Sequence, residues 1–143
     1  MRFCRILTFV LAAGLGAGGT EAAASDPSGL WLTARGDAKI RVSRCGPAFC
    51  GRVAWLRQPI ISETGQRPVD RKNPDPAMRD RPILGLRLFG MAPAGPDRWA
   101  GPIYNAEDGE TYRGFITLQG PDRLAVGGCV GPFCGSETWT KTK

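Results

Sequence analysis

The chain has 143 residues, with 42% hydrophobic and 22% charged residues. That is the size and make-up of one globular domain, and it excludes a disordered tail, a coiled coil and a multi-pass membrane protein. The formal net charge is +6 and there is no histidine, so the commonest general base near neutral pH and the commonest metal ligand are both missing.

Residues 1–24 read as a signal peptide. Arg2 and Arg5 precede an apolar run from Ile6 to Ala13, and a small-residue stretch ends in Ala22-Ala23-Ala24. These are a basic region, an apolar core and an A-x-A cleavage site. The run falls short of the roughly 20 residues a membrane helix needs. Cleavage is expected after Ala24, which makes the protein periplasmic or secreted. Residues 25–143 then form a single β-barrel domain of net charge +5. The basic excess is spread along the chain, so neither nucleic acid nor a membrane span after cleavage is expected.

Period-two alternation dominates the mature chain. Ala38-Lys39-Ile40-Arg41-Val42-Ser43 alternates cleanly, and so does Gly51-Arg52-Val53-Ala54-Trp55. Tyr112, Gly114, Ile116 and Leu118 share one face of a later run, and Leu124-Ala125-Val126 and Thr138-Trp139-Thr140 add two more. Turn signals such as Arg35-Gly36-Asp37, Asp108-Gly109 and Gly120-Pro121-Asp122 separate them at spacings of about ten residues. Eight strands are predicted, at 29–34, 38–45, 50–57, 83–91, 97–104, 110–119, 122–130 and 134–141. The fold class is all-β, an antiparallel up-and-down barrel, with a two-sheet sandwich as the alternative. The interior of an eight-stranded barrel either fills with side chains or holds one small ligand.

Four cysteines lie beyond the leader, in two runs of equal spacing: Cys45-Gly-Pro-Ala-Phe-Cys50 and Cys129-Val-Gly-Pro-Phe-Cys134. An even number in an exported chain reads as disulfides, and four allow three pairings. Each run holds a Gly-Pro turn that brings its ends together, which favours Cys45–Cys50 and Cys129–Cys134 over a crossed pairing. A tetra-cysteine zinc site would use closer spacings, so no metal is expected there.

The segment 57–82 breaks the strand rhythm. It carries five of the twelve prolines, six basic and four acidic residues. A connection this long in a compact domain is usually functional or disordered. Asp75-Pro76 has the form of a helix start, with Asp75 as N-cap, which predicts one short helical turn through Met78.

Several short motifs occur together: Gly29-Leu30-Trp31, Cys50-Gly51-Arg52-Val53-Ala54-Trp55-Leu56, Asn73-Pro74-Asp75-Pro76 with Arg79, Arg81-Pro82-Ile83-Leu84-Gly85-Leu86, Trp99, Ile103-Tyr104, Asp108-Gly109, Thr111-Tyr112 and Thr138-Trp139-Thr140. In these the chain resembles bacterial domain-of-unknown-function family 2147, a set of small exported proteins, over nearly the whole mature length. The resemblance implies a lipocalin-like, calycin-type barrel and no established activity. Gly29-Leu30-Trp31 also resembles the Gly-x-Trp that opens lipocalin-type barrels. It would make Trp31 a structural plug where first and last strands meet, near Trp139. The family commonly ends Trp-Thr-Arg, whereas this chain has Lys141, a weaker partner for an aromatic ring than arginine.

The chemistry in the sequence is thin. No histidine is present to activate a nucleophile, and paired cysteines supply no thiolate. A carboxylate pair such as Asp70 and Asp75 has arginines beside it that would spoil a general acid. Asp70, Asn73, Asp75 and Asp108 are hard-cation ligands without calcium-loop spacing. No catalytic residue, cofactor or metal is therefore expected. The expected ligand contacts are Asp70, Asn73, Asp75, Arg79 and Arg81, with the two arginines gripping a small polar or anionic ligand. The competing arrangement has these groups pair with one another and pin the loop. The aromatic set Trp55, Trp99, Tyr104 and Tyr112 lines either a pocket or the core. The function expected is a periplasmic small-molecule binding protein; the alternative is a ligand-free module that binds an envelope protein.

Overall fold

The computed structural model describes residues 18–19 and 24–143. The segment read as a leader thus lies almost wholly outside the described residues. Eight strands run in chain order: β1 Gly29–Leu32, β2 Ala38–Cys45, β3 Ala48–Leu56, β4 Arg87–Gly95, β5 Arg98–Asn105, β6 Glu110–Leu118, β7 Arg123–Val130 and β8 Phe133–Thr142. Each pairs antiparallel with the next, and β1 also pairs with β8, so the sheet closes into a barrel. The closing seam is short, Leu30–Leu32 against Thr140–Thr142, so the first half of β8 pairs with β7 alone. Among the described residues the single helical turn is the 3-10 turn Pro76–Met78, with the Asp75 side chain accepting from the Ala77 N–H at 3.0 Å. Among the described residues no helix is long and apolar enough to cross a membrane.

Most strand positions agree with the alternation; β4 is displaced. The apolar residues Ile83, Leu84 and Leu86 suggest a strand from 83, but the strand starts at Arg87 and continues to Gly95. Residues 83–86 form a turn instead. The Leu86 N–H donates to the Ile83 carbonyl, and Gly85 takes φ +89°. Beyond Gly90 the strand tolerates Pro93 at a register irregularity, where a missing N–H does the least harm.

The up-and-down path gives the barrel two unlike ends. At one end lie the β2–β3, β4–β5 and β6–β7 turns, and the chain before β1 crosses it. Pro27 is fully buried there, and its carbonyl accepts from the Trp31 indole N–H at 2.9 Å. The Ser25 hydroxyl donates to Asp97 in the β4–β5 turn, and Asp26 pairs with Arg44 at the end of β2. Trp31 is 0% exposed, and the Lys141 Nζ lies 5.4 Å from its ring centroid. Above this floor the core is dense: Ile40, Val42, Phe49, Phe89, Met91, Trp99, Ile116 and Leu124 are all buried. Phe49 and Trp99 meet edge to face at 5.6 Å, a favoured aromatic arrangement.

The other end carries the β1–β2, β5–β6 and β7–β8 connections and the long segment between β3 and β4. Two disulfides staple the two ends. Cys45–Cys50 spans the β2–β3 hairpin at the floor, with Cα atoms 5.8 Å apart. Cys129–Cys134 spans the β7–β8 hairpin at the open end, where the two residues face each other in the ladder with Cα atoms 4.0 Å apart.

Candidate functional site

The open end leads into a cavity of about 640 Å³, within the usual size range of small-molecule sites. Its walls are mainly apolar. Ile40, Val53, Leu56 and Leu88 come from β2, β3 and β4, and Ile103 and Val126 come from β5 and β7. Trp139 lies at its base. Space exists beside Gly135, where no side chain projects inward. Gly128 and Gly135 face each other across β7 and β8, and a Cβ added at Gly135 meets nothing within 4 Å.

One charged side chain stands on this wall among the strands. Glu137 lies two residues from Trp139, so period-two alternation puts both on the inner face of β8. Opposite it in the ladder is the buried Val126. The Trp139 indole N–H donates to Glu137 Oε1 at 2.6 Å. The remaining charges sit at the rim. Arg35 pairs with Glu107 and, at 3.7 Å, with Asp37, whose carboxylate also accepts from the Thr33 hydroxyl at 2.6 Å. Arg57 is exposed at the end of β3. Neither Glu137 nor Gly135 is among the residues expected from the sequence. The signal that could find them is parity with Trp139 along β8.

The five expected ligand contacts converge on each other. The long segment folds back so that 68–70 runs beside 81–83: the Asp70 N–H donates to the Arg81 carbonyl at 2.9 Å, and the Ile83 N–H to the Pro68 carbonyl at 3.0 Å. Asp70 is 0% exposed. Its carboxylate accepts from the Tyr104 hydroxyl at 2.5 Å, from Asn73 Nδ2 at 2.8 Å and from Arg81 Nε at 2.8 Å. Asn73 Oδ1 takes the Asp75 N–H, and Arg79 Nε donates to the Asn73 carbonyl at 2.8 Å. None of the five lines the cavity. The wall behind which they sit is made by Pro68, Ile83 and Tyr104.

Burial works against the ionised form of Asp70, but the hydrogen bonds from Tyr104, Asn73 and Arg81 outweigh it and hold the carboxyl below its ordinary range. Tyr104 moves the other way. Burial, and then its hydrogen bond to Asp70, push its hydroxyl above the usual tyrosine value. At the rim the Tyr112 hydroxyl donates to Asp108, which lowers the carboxyl and raises the phenol. Of the aromatic set, Tyr104 and Tyr112 line the cavity. Trp99 is core, and Trp55 faces outward beneath Lys39, whose Nζ is 5.3 Å from the ring centroid.

A solved structure shares this architecture. It is described as "Protein HP1028 from the human pathogen Helicobacter pylori belongs to the lipocalin family", and it matches with a TM-score of 0.69 at 17% identity, over 82% of this chain and 84% of that one. At that identity the likeness is one of fold, a lipocalin-like barrel. No curated protein matches the chain. A family model, described as "Uncharacterized protein conserved in bacteria (DUF2147)", matches residues 29–141. With that match reaching into all eight strands, the chain belongs to the DUF2147 family.

Proposed function

We propose that the protein binds a small molecule in the open half of its barrel. The observation that carries this reading is the cavity itself: about 640 Å³, apolar within, charged at the rim and floored by packed aromatic residues. A ligand entering it loses its apolar hydration shell, at roughly 25 cal/mol for each Å² removed from water. On this reading the Asp70 network is scaffolding. It fixes Pro68, Ile83 and Tyr104 as a rigid wall, so little ordering cost falls on binding. We further propose export to the cell envelope, supported by the two disulfides and by the leader pattern of 1–24. Native mass spectrometry of protein purified from its own host tests the reading. A small molecule should accompany the wild-type chain and be missing from Gly135→Trp, which fills the cavity at a position with free space. A bare wild-type mass, together with failure to take up an apolar fluorescent probe, refutes it.

One observation favours docking to another protein instead. The stapled β7–β8 tip presents Phe133 at 80% and Val130 at 63% exposure. Such residues side by side are characteristic of interaction surfaces. Phe133→Ser should leave small-molecule uptake unchanged if the cavity is the functional site.

A further inference from the structure

Resting on that reading, we infer that the cavity takes an organic cation with an apolar body, such as a long-chain amine or quaternary ammonium, and that Glu137 is its counter-ion. Among the described residues, the charged side chains around the cavity are Arg35, Asp37, Arg57, Glu107 and Glu137. Arg35 is engaged by Glu107 and Asp37 at the rim. Arg57 and Glu137 are both solvent-exposed, but Arg57 lies beyond the last residue of β3 whereas Glu137 is on the inner face of β8. Glu137 alone stands on the strand wall, and no cationic side chain lies within 4.0 Å of it among the described residues.

Its surroundings supply one donor. The Trp139 N–H holds Oε1 at 2.6 Å and orients the carboxylate, and Gly135, two residues away on the same face of β8, leaves open space beside it. An anionic ligand lying along this wall would meet like charge. A neutral apolar ligand would cover this exposed carboxylate and replace its water with no compensating charge. A cation relieves that cost, and Trp139, Tyr104 and Tyr112 on the same cavity walls add aromatic surface suited to alkylammonium groups. Arg79 and Arg81, the groups suited to an anion, are already committed to Asn73 and Asp70.

Three probes of equal chain length separate the cases: decyltrimethylammonium, decanol and decanoate, each titrated calorimetrically below its micelle concentration into the disulfide-intact protein. Wild type should bind the cation at least tenfold tighter than the alcohol, a difference of about 1.4 kcal/mol, and the carboxylate no better than the alcohol. Glu137→Gln keeps an acceptor for Trp139 and should retain the wild-type melting temperature. It should cut the cation-to-alcohol preference below threefold, by weakening the cation and tightening the alcohol, since a neutral amide costs less to desolvate than a carboxylate. Gly135→Trp should weaken both probes together. A cation preference that survives Glu137→Gln, or decanoate binding as tightly as the cation, overturns the assignment to Glu137 and leaves the cavity reading standing. If the wild type binds none of the three, the cavity reading fails and this inference fails with it.

Discussion

Asp70 shows how one residue fixes a wall of the site. Three donors meet its carboxylate inside the protein, and the guanidinium of Arg81 supplies the compensating charge. Asp70→Ala leaves that guanidinium and the Asn73 and Tyr104 donors without their acceptor. The Arg81 side chain is 38% exposed and can turn to water, so the cost is that of the stranded buried donors, about 1–3 kcal/mol in urea unfolding; a loss under about 0.5 kcal/mol would show that the network does not hold the loop. Tyr104→Phe removes one hydrogen bond to a charged group and should cost about 1.5–3 kcal/mol. The pH dependence has two edges. The folded-state value of Asp70 is depressed, so its contribution is complete above the ordinary value of about 3.8 and is lost as pH falls through the depressed one. The Tyr104 value is raised, so its contribution is complete below about 10.0 and is lost as pH rises through the raised one. Urea midpoints measured from pH 7 downward should fall through this network only below about 3.8. The sequence makes these five residues conspicuous, because Asp, Asn and Arg in a proline-rich loop are groups that recognise polar partners. It does not show that the partners are each other, since the deciding donor, Tyr104, lies 34 residues away.

The long connection between β3 and β4 acts as an element although it has only one 3-10 turn. Besides its own stem, it is fastened to the barrel where the β5–β6 turn packs against it. Gly109 is buried in that turn at φ +77°, and a Cβ there would come within 1.9 Å of the Lys72 carbonyl oxygen. Backbone meets backbone, so neither side can yield by rotating a side chain. Gly109→Ala should therefore both strain the turn and lift the loop. We expect a stability loss of at least about 1 kcal/mol from the left-handed conformation alone, with faster tryptic cleavage at Arg71 and Lys72. Unchanged cleavage would mean that the turn does not clamp the loop. In the sequence Asp108-Gly109 reads as a hairpin turn and nothing more, because the second surface of that glycine belongs to a distant segment. The displaced start of β4 has the same origin. Ile83 and Leu86 are apolar because they pack on the core as part of the loop, and apolarity at short range does not distinguish a buried turn from a strand.

At the scale of the molecule, the barrel is filled below and open above. Alternation and turn spacing reveal eight strands, and the strand number limits the interior to a filled core or one small ligand. Which of the two holds depends on how large and small residues face each other across the barrel, which no local pattern encodes. In the filled part, large side chains lean over glycines: the Phe89 ring covers Gly51, and Ile103 and Met91 cover Gly114. In the open part, Gly135 has no such cover. The same substitution should therefore have opposite effects in the two halves. A methyl group at Gly51 would lie 2.3 Å from the Phe89 ring, and one at Gly114 would lie 2.5 Å from Ile103. Both are overpacked, and each should lose about 1–3 kcal/mol. Trp31→Ala empties the floor and should lose about 3–5 kcal/mol. Gly135→Ala places its methyl in free space on an ordinary strand backbone, so it should be neutral or gain about 0.4–1 kcal/mol by restricting the unfolded chain. The four variants can be ranked by urea midpoints in one buffer, with no ligand added. If Gly135→Ala falls among the overpacked pair, the upper barrel is occupied by protein in solution, and neither the cavity nor the role assigned to Glu137 can stand.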